Sequence, residues 1–225
     1  HYFLGLLIAY QHQVNKKLAV IGAGGHGKVV ADIAEELGFD ISFFDDTFLE
    51  RTNIEHWVVR GTLLDFLAVS DLYCGAVVAI GNAKIRESIF TKLHLLNLNT
   101  PSIQHPSAMV SQYANIGHGC VIMPGAVINA FSTIGNSCII NSNAVVEHDC
   151  NLDDFVHMCP NATVAGGVTI GKRAWVGIGA SIRQMITIGT DSVIGGGSAV
   201  VNDIPTGATV VGVPAKVLKK QRITC

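Results

Sequence analysis

A short stretch of the chain, NAVVEHDCNLDDFVHMC at 143–159, gathers histidines and carboxylates within an otherwise apolar half of the sequence. His148 is followed directly by Asp149, and His157 comes nine residues after His148. A histidine beside a carboxylate is suited to general-base chemistry, because the carboxylate orients the imidazole and favours its protonated form. His148 and Asp149 are therefore a candidate base and its helper, and the elements that position them decide what they act on.

The composition allows a substantial core and excludes several classes of partner. Of the 225 residues, 49% are hydrophobic, which is enough for one large domain or two small ones. Lys and Arg number 15 against 17 Asp and Glu, without a basic run, so the pattern of a nucleic-acid-binding protein is missing. The longest apolar run, 3–10, is shorter than the roughly 20 residues of a membrane helix, so no membrane segment is expected.

The six cysteines contain no C-x-x-C pair, and the sequence has no recognisable signal peptide. A reducing, cytoplasmic location is therefore expected. The chain begins with His rather than Met, and residues 1–16 are interpreted as a leader or linker that does not belong to the fold.

Residues 17–100 are expected to form a small α/β domain of half-Rossmann type. Short apolar runs alternate here with segments of helical periodicity, which is typical of a parallel βαβ sheet. The pattern predicts strands at 18–22, 41–46 and 75–81, and helices at 28–37, 63–69 and 84–96.

From Val110 to Val200 an aliphatic residue recurs at every sixth position without a break. A helix has a period of 3.6 and a plain strand a period of 2, so neither explains the pattern. A hexapeptide period is the signature of a parallel β-helix, in which each short strand gives one aliphatic side chain to a narrow interior. We expect this β-helix over 101–204, with no protruding loop, and a tail outside the repeat at 205–225.

Two further positions of the repeat are assigned from their residue types. A small residue comes four positions after most of the aliphatics, so Cys120, Cys138 and Cys150 are expected to pack inside rather than react. The position directly after the aliphatic is rich in Gly and Asn and is expected to form corners with positive φ, at Gly117, Asn129, Gly135, Asn141, Gly171, Gly177, Gly189 and Gly195. The remaining acids of the opening stretch, Glu147, Asp153 and Asp154, fall at corner or outward positions and are expected to be solvated.

A glycine-rich loop, GAGGHG at 22–27, lies between the first predicted strand and helix. It satisfies G-x-G-x-x-G, and the next strand ends in Asp45 and Asp46. Glycines let a phosphate approach the backbone, and a helix N-terminus offers free N–H groups. The domain is the size of one mononucleotide half, so one nucleotide fits better than a dinucleotide. The alternative is a tight turn alone, and His26 is either a ligand contact or a solvated turn residue.

The stretch KKLAVIGAGGHGKVVADIAEELGF, followed by FDD, AIGN, a hexapeptide repeat carrying VVEHDC, and GVPAK, resembles the sialic-acid O-acetyltransferase-like family of sugar acetyltransferases. Within that family it is similar to N-acetyltransferases of UDP-linked 4-amino-4,6-dideoxy sugars in bacterial glycan pathways. The resemblance covers 17–217. It implies a left-handed parallel β-helix, a homotrimer, acetyl-CoA as co-substrate between neighbouring subunits, and no metal.

The resemblance also implies roles for particular residues. The family's base falls on His148, with Asp149 as its acidic neighbour. Acetyl-CoA contacts fall on His157, Ile178, Gly196 and Lys216. Nucleotide-sugar contacts fall on Gly24, Gly25, His26, Asp45, Asp46, Gly81 and Asn82.

If one coil has eighteen residues, as in known hexapeptide proteins, residues eighteen apart stack on each other. Gly166 then lies over His148, leaving room for substrate and a free N–H as a candidate oxyanion donor. Trp175 lies over His157. Because His148 and His157 are half a coil apart, they point from different faces, and they can share one site only between two subunits.

These observations predict direct transfer, in which His148 takes a proton from a sugar amine as the amine attacks the acetyl thioester. Three alternatives stay open. O-acetylation of a sialic acid or another sugar differs only in substrate, and a non-catalytic sugar-nucleotide-binding scaffold would not bind acetyl-CoA. A zinc enzyme similar to the γ-class carbonic anhydrases would need a pair of prism histidines five residues apart, which the sequence lacks.

Overall fold

The computed structural model describes residues 16–47 and 52–218. The predicted leader, apart from Lys16, and the end of the predicted tail lie outside the described residues. The domain boundaries at 16/17, 100/101 and 204/205 stay predictions from sequence.

The N-terminal part is a three-stranded parallel sheet with helices on both faces. Its elements are β1 (Lys17–Ile21), α1 (Gly25–Glu36), β2 (Asp40–Phe44), β3 (Asn53–Ile54), β4 (Trp57–Val58), α2 (Leu63–Ala68), β5 (Gly75–Val78) and α3 (Ala83–Leu95). The strand order is β2, β1, β5. Alternate residues of β1 enter two cores: Leu18 and Val20 pack with α1, while Ala19 and Ile21 pack with α2 and α3. The predicted parallel α/β sheet is confirmed.

In this domain one predicted helix boundary is corrected, and one hairpin was missed by the sequence analysis. Helix α1 begins at Gly25, three residues before the predicted start, so the second half of the glycine loop is the first helical turn. Glycine's poor helix propensity hid this turn in the sequence. The antiparallel hairpin of β3 and β4 was not predicted, because strands of two residues leave no periodic signal.

The rest of the chain is a parallel β-solenoid of two-residue strands, confirming the fold class. Its strands are β6 (Ile103–Gln104), β7 (Met109–Val110), β8 (Asn115–Ile116), β9 (Val121–Ile122), β10 (Val127–Ile128), β11 (Thr133–Ile134), β12 (Ile139–Ile140), β13 (Val145–Val146), β14 (Asn151–Leu152), β15 (His157–Met158), β16 (Thr163–Val164), β17 (Thr169–Ile170), β18 (Trp175–Val176), β19 (Ser181–Ile182), β20 (Thr187–Ile188), β21 (Val193–Ile194), β22 (Ala199–Val200), β23 (Thr209–Val211) and β24 (Lys216–Val217).

Three sheets form the faces of the solenoid. The β13 face holds β7, β10, β13, β16, β19 and β22; the β14 face holds β8, β11, β14, β17 and β20; the β15 face holds β6, β9, β12, β15, β18, β21, β23 and β24. Paired residues such as His157 and Trp175 are eighteen apart, as expected for one coil. We name the edges between faces by their residues: the His148 corner joins the β13 and β14 faces, the α3 corner at 153–156 joins the β14 and β15 faces, and the Ile178 corner joins the β15 and β13 faces.

The interior of the solenoid is one continuous apolar core. The repeated aliphatics from Ile122 to Val200 are buried, and Cys120, Cys138 and Cys150 lie among them with at most 1% exposure, which confirms their interior placement. Each coil places its aliphatic directly on that of the coil below, so the six-residue period is maintained by close packing along the axis.

The prediction that the residue after each aliphatic adopts positive φ is wrong. Positive φ occurs two positions later, for example at Phe131, Asn143, Asp149 and Gly167. Glycine at the predicted position has a different cause, which is close approach between coils. A Cβ at Gly189, for example, would lie 2.3 Å from the amide nitrogen of Thr206 in the next coil.

Gly189→Ala is therefore expected to lower the free energy of unfolding by about 1–3 kcal/mol, because a methyl group would have to push two coils apart. Asn129→Ala at the equivalent position of another coil removes only a side-chain hydrogen bond to Glu147 and should cost less than about 1 kcal/mol. Urea unfolding of both variants measures the difference. Equal losses would contradict the packing explanation.

Candidate active site

The predicted base and helper are in hydrogen-bonding contact at the His148 corner. His148 Nδ1 lies 2.7 Å from Asp149 Oδ2, and both side chains are 63% exposed. Because a carboxylate can only accept, Nδ1 carries the hydrogen and Nε2 is left with a lone pair for a proton. Asp149 has a positive backbone φ of 58°, a conformation that aspartate adopts more readily than most residues. The pair has the arrangement of a general base and the group that orients it.

Gly166 lies against the imidazole of His148, as the stacking predicts. A Cβ at Gly166 would lie 2.6 Å from both Cε1 and Nε2 of His148. The neighbouring amide of Gly167 donates to His148 O, whereas the Gly166 N–H has no hydrogen-bond partner within 16–47 and 52–218. Glycine at this position therefore leaves space and an available donor beside the base.

Large apolar side chains are exposed around the same corner. Tyr113 and Phe131 stack with ring centroids 5.5 Å apart, and they are 58% and 64% exposed. Met185, which packs against Gly167, is 76% exposed. These residues, Asp149 and Gly167 occupy equivalent positions in five successive coils, so an apolar ridge lies on both sides of the candidate base. A ridge of this kind is typical of a protein interface.

The other acids of the opening stretch are less free than predicted. Glu147 accepts a hydrogen bond from Asn129 Nδ2 at 2.9 Å, and Asp154 Oδ1 accepts from the Asn136 N–H at 2.6 Å. Asp153 is exposed and accepts only from its neighbour's N–H. Asp154 thus joins adjacent coils and is not simply a solvated charge.

The glycine loop contains two kinds of glycine. Gly22 has φ of 111°, and Gly27 packs so closely on Gly22 O that a Cβ would lie 2.1 Å from it, so both are needed by the fold. Gly24 and Gly25 have no atom within 4 Å of a Cβ position and no positive φ. Their missing side chains therefore leave open space at the N-terminus of α1, where a phosphate group could approach.

The two aspartates after β2 have different surroundings. Asp45 Oδ2 accepts from the Ala23 N–H at 2.7 Å, and its Oδ1 accepts from Thr47, so this carboxylate braces the glycine loop. Asp46 is exposed and accepts from the Leu63 N–H at 3.3 Å. Both line a small cleft of about 140 Å³ with Gly22. Asp46 is thus the better placed of the two for a ligand contact.

Gly81 and Asn82 lie in a second cleft of about 360 Å³, between the α/β domain and the β15 face. Asn82 Oδ1 caps α3 by accepting from the N–H groups of Lys84 and Ile85, which leaves only its amide nitrogen for a ligand. Gly81 has open space around its Cβ position. His157 and Trp175 line the same cleft, so two groups of predicted contacts meet within one chain.

The α/β domain covers the lower part of the β15 face, and His157 lies where this covered part ends. The outward side chains below it in the same column, Ile103, Val121 and Ile139, are buried under the α/β domain, and Trp175 above it is 47% exposed. The His157 and Trp175 rings stack at 5.6 Å with 13° between their planes. Burial and the charge of Arg86 lower the pKa of His157 to about 3. Its Nδ1 is buried and finds no hydrogen-bond partner in the described chain.

His26, in the first turn of α1, resembles His157 in its surroundings. Burial lowers the pKa of His26 to about 4, with a further contribution from Arg86. Its Nε2 is buried without a hydrogen-bond partner among the residues the structure describes. A solvated turn residue is therefore excluded for His26, and its buried nitrogen is available to a ligand.

Acidification from pH 7 to about 5 is expected to destabilise the protein, because His26 and His157 are neutral in the fold but bind protons once unfolded. Stability should fall as the pH drops below about 6.5 towards about 4, by up to about 1.4 kcal/mol per pH unit for each histidine. Urea unfolding at several pH values measures this slope. A His26→Gln, His157→Gln double variant should have a flatter slope, and an unchanged slope would contradict the assignment.

The remaining predicted contacts lie at the Ile178 corner and at the end of the β15 face. Gly196 stacks on Ile178, with a would-be Cβ 3.1 Å from Ile178 Cγ2, and Ile178 is exposed. Lys216 lies in β24, which pairs antiparallel with β23 at the end of this face. β24 is four strand spacings from β15, or about 19 Å. The structure thus brings Ile178 and Gly196 together but keeps Lys216 at a distance from His157.

Charged residues of the domain junction were not predicted as functional. Arg173 forms a bidentate pair with Asp191 and bonds Glu87 of α3 at 2.8 Å. Arg86 of α3 is buried between the domains. Neither position shows a motif in the sequence, because their partners are 18 to 86 residues away or are backbone carbonyls.

The three-faced solenoid of hexapeptides with a small α/β domain on one face is the architecture of hexapeptide transferases. Residues 17–93 match the family model of the PglD N-terminal domain, and 113–148 match the bacterial transferase hexapeptide (six repeats). No helix in the described ranges is long and apolar enough to cross a membrane.

Solved structures and a curated protein extend these matches. A histidine-to-asparagine mutant of perosamine N-acetyltransferase from Caulobacter crescentus, in complex with CoA and GDP-perosamine, is 35% identical with a TM-score of 0.87, covering 90% of this chain and 97% of that one. The acetyltransferase domain of PglB from Neisseria gonorrhoeae, in complex with acetyl coenzyme A, is 44% identical with a TM-score of 0.86, covering 91% and 100%.

A UDP-N-acetylbacillosamine N-acetyltransferase of Bacillus subtilis is 38% identical over 114 residues, which are 48% of this chain. The matched part spans about half (51%) of that curated relative. The full-length matches among solved structures show the family: the chain belongs to the hexapeptide-repeat sugar N-acetyltransferases that carry a PglD-type N-terminal domain.

Proposed function

We propose that the protein transfers the acetyl group of acetyl-CoA directly to the 4-amino group of a nucleotide-linked amino-dideoxy sugar. The observation that carries this proposal is the His148–Asp149 pair, with its 2.7 Å contact and with Nε2 held over Gly166. The relatives support the choice of reaction, since those compared are named as sugar N-acetyltransferases or acetyltransferase domains. Such chemistry fits a cytoplasmic enzyme.

His148 Nε2 takes the proton that the sugar amine loses as its nitrogen bonds to the acetyl carbon and the thioester C–S bond breaks. Asp149 holds the ring in the required tautomer and stabilises the imidazolium. The Gly166 N–H is the proposed donor to the carbonyl oxygen as negative charge develops on it. A covalent acyl-enzyme is not required, because the amine itself is the nucleophile, and Cys120, Cys138 and Cys150 are buried in the core.

The nucleotide-sugar is proposed to bind at the carboxyl end of the parallel sheet. The open space at Gly24, Gly25 and Gly81, together with the first-turn N–H groups of α1, suits a diphosphate. His26 Nε2 and the exposed Asp46 are the proposed polar contacts. A UDP-sugar is favoured by the Bacillus relative, although the Caulobacter relative is bound to GDP-perosamine.

Acetyl-CoA is proposed to lie along the β15 face. His157 offers a buried nitrogen without a partner in the described chain, and Trp175 offers an exposed ring beside it. Ile178 and Gly196 continue this surface, and the strand that carries Lys216 lies about 19 Å from the strand that carries His157, where the lysine could meet a phosphate. These residues fit an elongated ligand. Its thioester end is proposed to lie away from Ile178 and Lys216, close to the catalytic base.

That base must come from another subunit, because His148 and His157 lie on different parts of the solenoid. We propose a homotrimer in which the apolar ridge at Tyr113, Phe131 and Met185 of one subunit packs on a neighbouring subunit. This contact places His148 of one subunit beside the β15 face of the other.

Phe131→Glu is expected to convert the trimer to monomers and reduce activity at least tenfold, since a buried unpaired charge is costly. Light scattering coupled to size exclusion measures the mass. Phe131→Leu is the matched control, and a Glu variant that stays trimeric would contradict this interface.

The reaction is tested with a panel of UDP-, dTDP- and GDP-linked 4-amino sugars and a sialic acid, each with acetyl-CoA, by following release of free thiol. Turnover of an amino sugar with an N-acetylated product supports the proposal. Turnover of sialic acid alone would favour the O-acetyltransferase alternative. No turnover, together with no acetyl-CoA binding in calorimetry, would favour a non-catalytic scaffold.

A further inference from the structure

Arg86 is the largest fully buried side chain of the described protein, with 1% exposure. It lies in the first turn of α3, and its guanidinium points into the junction between the two domains. Nε donates to Ser137 O at 2.8 Å, and Nη2 donates to Phe155 O at 2.7 Å. Nη1 donates to Ile80 O at 2.8 Å and Gly81 O at 2.9 Å. One side chain therefore holds two coils of the solenoid and the turn after β5.

The partners of Arg86 are all backbone carbonyls, and none of the described residues pairs a carboxylate with it. A buried charge balanced only by carbonyl dipoles is costly, so the arrangement is a poor device for stability alone. A guanidinium has a planar fork of five donors, which allows it to hold four acceptors in fixed directions. A lysine at this place keeps the charge but can reach only some of them.

Attachment of the α/β domain to the solenoid does not depend on Arg86 alone. Phe90 packs edge-on against Phe155 at 5.7 Å, and Glu87 pairs with Arg173 and Lys172. Beneath α1, the side chains of Val121 and Ile139 join the domain's core. Among the residues that the structure describes, only Arg86 bonds the Ile80–Gly81 turn and the solenoid wall at the same time.

That turn forms one wall of the cleft that also contains His157. Gly81 and Asn82 face this cleft from the α/β domain, and His157 follows Phe155 by two residues on the solenoid side. The bonds of Arg86 to Gly81 O and Phe155 O thus fix both walls of the cleft relative to each other. The geometry fits the need to hold two substrates, each bound mainly by a different domain, at reacting distance.

We propose that Arg86 is a positioning residue that locks the Ile80–Gly81 turn to the solenoid wall and so sets the place of the nucleotide-sugar relative to acetyl-CoA. The proposal rests on the proposed function for its substrates, but its structural part does not. Arg86 touches neither reacting group and acts through the backbone of Gly81 and Phe155. Its charge also contributes to the lowered pKa of both His26 and His157, which provides an independent readout.

The test compares Arg86→Lys, Arg86→Gln and Glu87→Gln in the full chain. Arg86→Lys is expected to lower kcat at least tenfold while KM for the nucleotide-sugar changes less than threefold, and to increase hydrogen exchange at the amides of 80–83. Glu87→Gln removes the ion pairs of the same helix without touching the turn, so its kcat and its exchange at 80–83 should stay within twofold of the unmodified protein.

Histidine-selective NMR titration completes the test and does not need a substrate. Arg86→Gln removes the charge and should raise the pKa of His26 and His157, whereas Arg86→Lys should leave them low. If Arg86→Gln does not fold, Arg86→Lys still decides through exchange and kcat. Normal exchange at 80–83 in Arg86→Lys, or an equal effect of Glu87→Gln, would overturn the proposal. If no sugar in the panel is acetylated but the predicted exchange and titration changes are observed, the proposed function is refuted and the positioning role of Arg86 is retained.

Discussion

His148→Ala is expected to lower kcat for acetyl transfer by about 10²–10⁴-fold, the usual contribution of a general base. The structure gives the reason: Nε2 is the free nitrogen of an imidazole whose Nδ1 is bound to Asp149 at 2.7 Å. The side chain is largely exposed and its loss removes little packing, so the fold and acetyl-CoA binding should be retained. Thiol release under saturating substrates measures kcat, and calorimetry measures acetyl-CoA binding.

His118→Ala is the matched control for His148→Ala. His118 is also exposed and occupies the equivalent position of the repeat at the α3 corner, but no carboxylate follows it in sequence. Its loss should change kcat less than twofold. Asp149→Asn keeps a residue that tolerates the positive φ of this position and should show an intermediate loss of about tenfold or more. Near-normal turnover of His148→Ala would refute the assignment of the base.

Gly166→Ala is expected to reduce kcat by about 10²-fold without unfolding the protein. Its Cβ would lie 2.6 Å from Cε1 and Nε2 of His148, so the ring must move away from its place beside Asp149. A displacement of about 1 Å at a reacting group is enough for a loss of this size. The backbone at Gly166 does not have positive φ, so alanine can adopt it without strain.

Gln184→Ala is the control for a substitution at the same corner. Gln184 is exposed and lies one coil beyond Gly166, so it does not contact His148. It should retain kcat within twofold. The Gly166→Ala protein should show an unchanged melting temperature and unchanged acetyl-CoA binding, because the displaced side chain is exposed. A full loss of folding, or unaltered kcat, would contradict the close contact between Gly166 and the base.

The solenoid could be predicted almost residue by residue, because its order is local and repetitive. One aliphatic at every sixth position already defines the strands and the interior, and the eighteen-residue coil of known hexapeptide proteins adds the stacking of Gly166 on His148. The corners were less predictable. Glycine is favoured both where φ is positive and where two backbones approach closely, and only the tertiary structure shows that Gly189 is needed for the second reason.

The sequence by itself determined the hexapeptide core, the glycine loop on a parallel sheet and the adjacent His148 and Asp149, since each depends on spacing within one element or one repeat. Tertiary structure alone decided the partial burial and the lowered pKa of His157 and His26, and the contacts of Arg86. The period places His157 on an outward position, but docking of the α/β domain covers the column below it and leaves the His157 side chain half-buried, with Nδ1 buried. Which face is covered depends on contacts between residues far apart in the chain, such as Arg86 with Phe155, and no repeat records them.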